Sequence, residues 1–172
     1  MENNISISKV GMRYGLIAAV LLIVYGLVLQ FTELYTNQAL GWVSYLVLAV
    51  LIYLAHGAFK DGGDGFMSIG QGLGIGMLVS VIAGVISSLF TFIYLKFVDD
   101  SMIEKIMDAQ IEKMEEQGLD DATIDQAMKT VEKMMTPPMM FIMGIVAMAF
   151  IGFIISLIVS LITKKNNPQL QS

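Results

Sequence analysis

The side chains able to do chemistry are few, and most stand alone. His56 is the only histidine in 172 residues. A lone imidazole has no second metal ligand and no nearby nucleophile, so it is expected to be a structural histidine at the membrane interface, near the end of an apolar stretch. Methionine is abundant, with 14 residues, and Met134, Met135, Met139, Met140 and Met143 crowd one region. Thioethers are soft donors that suit Cu(I), and Met140 and Met143 stand one helical turn apart. Methionine is also an adaptable apolar filler, and that reading is favoured at the start of an apolar helix. Eleven of the 15 acids fall between Lys96 and Lys133. A calcium loop needs closely spaced oxygen ligands around a glycine turn, and Asp120-Asp121-Ala122-Thr123-Ile124-Asp125 lacks that glycine and the distal Glu. These acids read as solvated helix faces.

Other chemistries are excluded by what is absent. There are no cysteines, which removes disulfides, thiolate metal sites and cysteine nucleophiles. No Ser/His/Asp, HExxH or paired-carboxylate arrangement falls within the apolar stretches. Gly70-Gln71-Gly72-Leu73-Gly74-Ile75-Gly76 has the wrong spacing for a dinucleotide fingerprint, and no Gly-Lys-Ser/Thr follows it. No basic patch of the size nucleic acid requires is present. Neither an enzyme, a metal site nor a cofactor is expected.

The apolar pattern defines the elements that carry these residues. Hydrophobic residues make up 56% of the chain and charged residues 15%, against about 25% charged in soluble domains. Four stretches lack Asp, Glu, Lys and Arg: Tyr14–Phe31, Leu40–Phe59, Phe66–Leu95 and Pro138–Thr163. A bilayer core of about 30 Å needs roughly 20 helical residues, so each is a candidate span. The third is too long for one upright crossing; it tilts, or its glycine-rich start over 68–76 lies outside the core or unwinds. Lys60-Asp61-Gly62-Gly63-Asp64-Gly65 is a tight polar turn, making spans two and three antiparallel neighbours. Thr136 can cap the fourth span, with Pro137 or Pro138 in its first turn. Tyr35, Trp42, Tyr94 and Phe97 mark one interface, and Tyr14, Phe59 and Phe66 the other.

Lys and Arg counts tie at five on each side of the membrane. The preference set by the first helix and the bare Lys164-Lys165 stop place the termini in the cytoplasm. The segment 98–136 then lies on the outer side. Ser101-Met102-Ile103-Glu104 matches a capping box. Ile103, Ile106, Met107, Ile111 and Met114 recur at helical spacing. Gly118 suits a left-handed stop. Asp120 or Asp121 can cap a second helix, whose apolar face is Ile124, Ala127, Met128, Val131 and Met135. The candidate partner-binding residues are Ile103, Ile106, Met107, Ile124, Met128 and Val131.

Within the spans the pattern that stands out is small residues. Ser68, Gly72, Gly76, Ser80, Gly84 and Ser88 recur every four positions and line one helix stripe. Gly144, Gly152, Ser156 and Ser160 make a second stripe, interrupted by Met148, and Gly11 and Gly15 a third. Small stripes let helix backbones approach closely, within one chain or between copies. Gly72, Gly76, Ser80, Gly84, Ser88, Gly144, Gly152 and Ser156 are therefore the candidate packing residues.

Three segments carry a family likeness. Ser8-Lys9-Val10-Gly11-Met12-Arg13-Tyr14-Gly15, Gly65-Phe66-Met67-Ser68-Ile69-Gly70-Gln71-Gly72 and Tyr94-Leu95-Lys96-Phe97-Val98-Asp99 resemble a family of bacterial membrane proteins, domain of unknown function 4199. The likeness covers nearly the whole chain, including the acidic segment and the Pro137-Pro138 entry to the last span. It implies four helical spans in a bacterial membrane and no catalytic residue. The expected fold is all-α and integral to the membrane: four transmembrane helices with an extramembrane amphipathic helical hairpin between the third and fourth. One membrane domain covers 1–172, with spans at about 14–31, 40–59, 69–95 and 138–163 and the acidic hairpin inserted at 98–136. The expected localisation is the bacterial inner membrane. The leading functional expectation is a non-catalytic scaffold or accessory protein whose partners are the bilayer and either another copy or another membrane protein. A small transporter or channel for an uncharged solute, lined by Gln71, Ser80, Ser87 and Thr91, is the alternative, and methionine-based copper handling comes after it.

Overall fold

Three of the four long helices start at a side chain that satisfies a first-turn amide. A computed structural model describes residues 5–35, 37–99 and 101–166 of the chain. Glu2 and Asp100, counted among the acids above, lie outside them. Among the described residues six helices follow in order: α1 Ile7–Phe31, α2 Gln38–Asp61, α3 Ile69–Phe97, α4 Ser101–Glu116, α5 Asp121–Met134 and α6 Pro137–Thr163. The Ser6 hydroxyl accepts from Lys9 N at 3.1 Å and starts α1. The helix therefore begins seven residues before the charge-free stretch, and Lys9 and Arg13 ride on its exposed face. Asn37 Oδ1 accepts from Ala39 N at 3.0 Å and starts α2. At α3 the cap is reciprocal. Ser68 Oγ accepts from Gln71 N at 3.2 Å, and Gln71 Oε1 accepts from Ser68 N at 2.8 Å. This Ser-x-x-Gln capping box makes the glycine-rich start of α3 helical rather than unwound. Pro137 opens α6 at the position where its missing N–H costs nothing.

Two helices end in the same way with different residues. After α4, Gly118 (φ 74°) donates to the Glu115 carbonyl and Leu119 to that of Met114. After α1, Glu33 (φ 58°) donates to the Gln30 carbonyl and Leu34 to that of Leu29. Both are Schellman ends, and the second places a side chain where glycine is preferred. The expected Ser101–Glu104 capping box takes another form. Ser101 lies inside α4, and Asp99 Oδ1 accepts both from its N–H at 3.1 Å and from its hydroxyl at 2.6 Å. Asp120 precedes α5, and its carboxylate accepts from the Thr123 hydroxyl.

The chain divides into two compact units. The first comprises 1–87 and 145–172. Its core takes Val10, Ala18 and Leu22 from α1, Leu48, Leu51, Ile52, Ala55 and Phe59 from α2, Ile75, Val79 and Ala83 from α3, and Val159 from α6. On α2 and α3 these positions advance by three and four, giving one buried stripe per helix. The opposite faces are apolar too: Val20, Leu46, Val50 and Ile158 are exposed. Main-chain bonds of 2.9 Å in each direction join Met67 to Lys165, tying the entry of α3 to the exit of α6.

The second unit is 88–144. It contains α4 and α5, which touch each other, together with the adjoining ends of α3 and α6. Ile124 and Met128 of α5 are buried, while α4 buries no residue fully. The Phe92 and Phe141 rings meet edge-on at 6.1 Å. Among the described residues four helices, α1, α2, α3 and α6, are long and apolar enough to cross a membrane. The shortest, α2, has 24 residues and measures about 36 Å at 1.5 Å per residue, against a core of about 30 Å.

Candidate functional site

The small-residue stripes of α3 and α6 face each other. In the first unit, a Cβ added to Gly72 would lie 2.7 Å from Ser160 Oγ, and one added to Gly76 would overlap the Ser156 side chain. One added to Gly152 would overlap Ser80, and one added to Gly84 would lie 2.8 Å from Met148 Cβ. Each step of four along α3 is matched by a step of four backward along α6, as an antiparallel pair requires. A glycine on one helix makes the notch that a side chain of the other fills. Met148, which breaks the stripe in the sequence, is itself such a filler. In the second unit, Gly144 meets Ser88 in the same manner. On α1, Gly11 and Gly15 receive Leu78 and Ile82 of α3, with added Cβ atoms 2.6 and 2.8 Å from the Cβ of each. In lipid, such close packing supplies the helix contacts that hydrophobic burial supplies in water.

Polar atoms are set into this packing. The Ser80 hydroxyl donates to the Gly76 carbonyl at 2.8 Å. The hydroxyls of Ser87, Ser156 and Ser160 are buried with no hydrogen-bond partner among the described residues.

The densest polar cluster is at His56. This side chain has 0% exposure and packs inside the protein. Nε2 lies 2.9 Å from the Gly72 carbonyl on α3, and Nδ1 lies 2.8 Å from the Thr163 hydroxyl on α6. A carbonyl only accepts, so Nε2 carries a hydrogen. Thr163 has one hydroxyl hydrogen and two acceptors within reach, since its oxygen is also 2.7 Å from the Val159 carbonyl. With a neutral ring the hydroxyl donates to Nδ1. With an imidazolium, Nδ1 donates and the hydroxyl turns to Val159. Lys60, one helical turn after His56, donates to the Thr163 carbonyl at 3.1 Å. That carbonyl is among the last four of α6, which have no partner within the helix. The cation thus caps a negative dipole end. Lys165 lies over the Phe66 ring, 5.5 Å from its centre. The cluster ties α2, α3 and α6 together at the end of the unit nearest Lys60.

The other singled-out residues are dispersed. Gln71 is committed to its cap, Ser80 to the Gly76 carbonyl, and Thr91 is exposed. The Ser87 side chain is half-buried, with its hydroxyl buried. Ile103, Ile106, Met107 and Val131 are half-buried, beside the buried Ile124 and Met128. Met139 and Met143 are exposed and Met140 is half-buried. No three His, Asp or Glu side chains converge on a point among the described residues.

The His56 cluster escaped sequence reasoning because its partners lie 16 and 107 residues away and one of them is a main-chain atom. One signal was present: His56 and Lys60 are four apart and share a face of α2 with the core residues Ile52 and Phe59. Ser68-Ile69-Gly70-Gln71 likewise matches the capping-box pattern.

Comparison with known families finds one described as "Protein of unknown function (DUF4199)", which matches residues 13–165. No curated protein and no solved structure matches the chain.

Proposed function

The chain belongs to the DUF4199 family, and on that premise we propose that it is a multi-pass membrane protein acting as a non-catalytic scaffold or accessory protein. Four spanning helices form a rigid anchor, and α4–α5 is an extramembrane acidic hairpin carried for contact with a membrane partner or a second copy. The observation that carries this reading is where the polar groups of the long helices go. Both nitrogens of His56, the Lys60 ammonium and the Ser80 and Gln71 side chains bond to other parts of the same unit. Intramembrane polar groups mark a pathway when they face a cavity; here His56 and Lys60 tie α2 to α3 and α6, and Ser80 and Gln71 bond within α3 and its cap. The membrane is the bacterial inner membrane, with the termini cytoplasmic and the hairpin outside.

A second reading, a small transporter for an uncharged solute, draws on one observation: along the α3–α6 contact the buried hydroxyls of Ser156 and Ser160 have no partner among the described residues. Copper handling has no comparable support from Met140 and Met143.

Purified full-length chain in sealed vesicles separates these readings. A scaffold leaves glycerol and sugar permeation at the rate of empty vesicles. Protein-dependent permeation that Ser156→Ala slows would replace it with the transporter. The chain has no cysteine of its own, so a single cysteine at Gln110 reports orientation. An impermeant maleimide added to intact cells is expected to label it, and labelling only after lysis would reverse the topology.

A further inference from the structure

A groove of about 520 Å³ runs between the first turns of α2 and the middle of α6, within the range of about 300–1,000 Å³ typical of small-molecule sites. Its walls are Gly41, Trp42 and Tyr45 of α2 and Ile151, Ile154 and Ile155 of α6, and Tyr35 and Asn37 stand at the turn leading into α2. From these we infer that the groove is a site for one acyl chain of a bilayer phospholipid, its headgroup at the Tyr35–Asn37 end. The inference rests on the chain spanning a membrane.

Three features favour that occupant. The walls continue into the outward apolar faces of both helices, where Leu46, Phe150 and Ile158 are exposed, so the surrounding phase supplies the ligand. Counting about 20 residues, the length of a bilayer crossing, back from Lys60 reaches Leu40. Trp42 and Tyr45, whose rings meet edge-on at 5.7 Å, therefore stand at headgroup level with the isoleucines deeper, the order a lipid presents. Finally, a Cβ at Gly41 would meet nothing within 4 Å. Neither close helix packing nor a left-handed backbone requires glycine there, and glycine weakens a helix relative to alanine. Its effect is to keep the groove wall open. Gly26 and Gly57 also face open space, but of the three Gly41 lines the groove.

Trp42 is the only tryptophan, so its fluorescence reports the groove directly. Delipidated full-length chain in detergent is titrated with phosphatidylcholine carrying brominated acyl chains. Saturable quenching at about one lipid per chain is expected, with half-saturation shifted about tenfold or more by Gly41→Leu. Gly57→Leu, which adds the same side chain elsewhere on α2, should leave the titration unchanged. Quenching that rises linearly with lipid in the wild type, or that survives Gly41→Leu, overturns the site, as does equal loss in both variants. Wild-type chain that fails to enter brominated vesicles at all overturns the spanning reading as well, whereas entry without saturable binding overturns the site alone.

Discussion

Replacing Gly152 by alanine sets two opposing effects against each other. Alanine favours a helix over glycine by about 1 kcal/mol. Against that, the new Cβ would overlap Cβ and Oγ of Ser80, with Ser80 Cα only 3.7 Å away. The obstructing atoms sit at the root of a side chain on a packed helix, so no rotamer change clears them and α3 must move away from α6. Overpacking of this kind costs about 1–3 kcal/mol. With backbone displacement required, we take the upper part of that range. The net expectation is a loss of roughly 1–2 kcal/mol. Gly57→Ala is the control, because its Cβ meets nothing within 4 Å; it should be neutral or stabilising by up to about 1 kcal/mol. Ser80→Gly removes the obstruction and should rescue Gly152→Ala, although alone it costs the 2.8 Å bond to the Gly76 carbonyl. Reversible unfolding in mixed micelles measures all four variants. The reasoning fails if Gly152→Ala is as stable as Gly57→Ala, or if the Gly152→Ala and Ser80→Gly effects add within about 0.5 kcal/mol.

The same assay tests other contacts. Thr163→Val keeps the branched shape but leaves Nδ1 of His56 without its hydroxyl. A loss of about 1 kcal/mol is expected, with non-additivity against His56→Leu, and full additivity would dissociate the two residues. Ser68→Ala breaks one arm of the cap on α3 and should cost about 1 kcal/mol; an unchanged unfolding midpoint would show that the cap adds nothing to stability. Glu33→Gly should stabilise and Gly118→Ala destabilise, each by about 1 kcal/mol, because both positions are left-handed. Equal signs for the two would contradict the shared geometry of these helix ends.

The expectations differ in how far they depended on neighbours in sequence. Charge-free stretches marked the long helices because lipid solvates no isolated charge, and that information is local. Their ends shifted where a cap outranked hydropathy: Ser6 carries α1 past Arg13, and Ser68 with Gln71 turns a glycine-rich run into the first turns of α3. The left-handed stop at Gly118 was visible as a glycine. The identical stop at Glu33 was not, because its residue type argues against it.

The sequence by itself determined that four apolar helices and two amphipathic ones form, and which stripes of α3 and α6 are small. It left open what those stripes meet. Only the tertiary structure decided that, in the first unit, Gly72, Gly76, Ser80 and Gly84 pair in antiparallel register with Ser160, Ser156, Gly152 and Met148, and that His56 is an interior tie among three helices. Periodicity fixes which face of a helix is small or polar, since side chains repeat every 3.6 residues. It carries no information about which other face arrives, how far along, or which main-chain carbonyl it presents. Those depend on contacts between residues far apart in the chain, and here the decisive ones involve the bare backbone of Gly72 and the absent Cβ of Gly76 and Gly152.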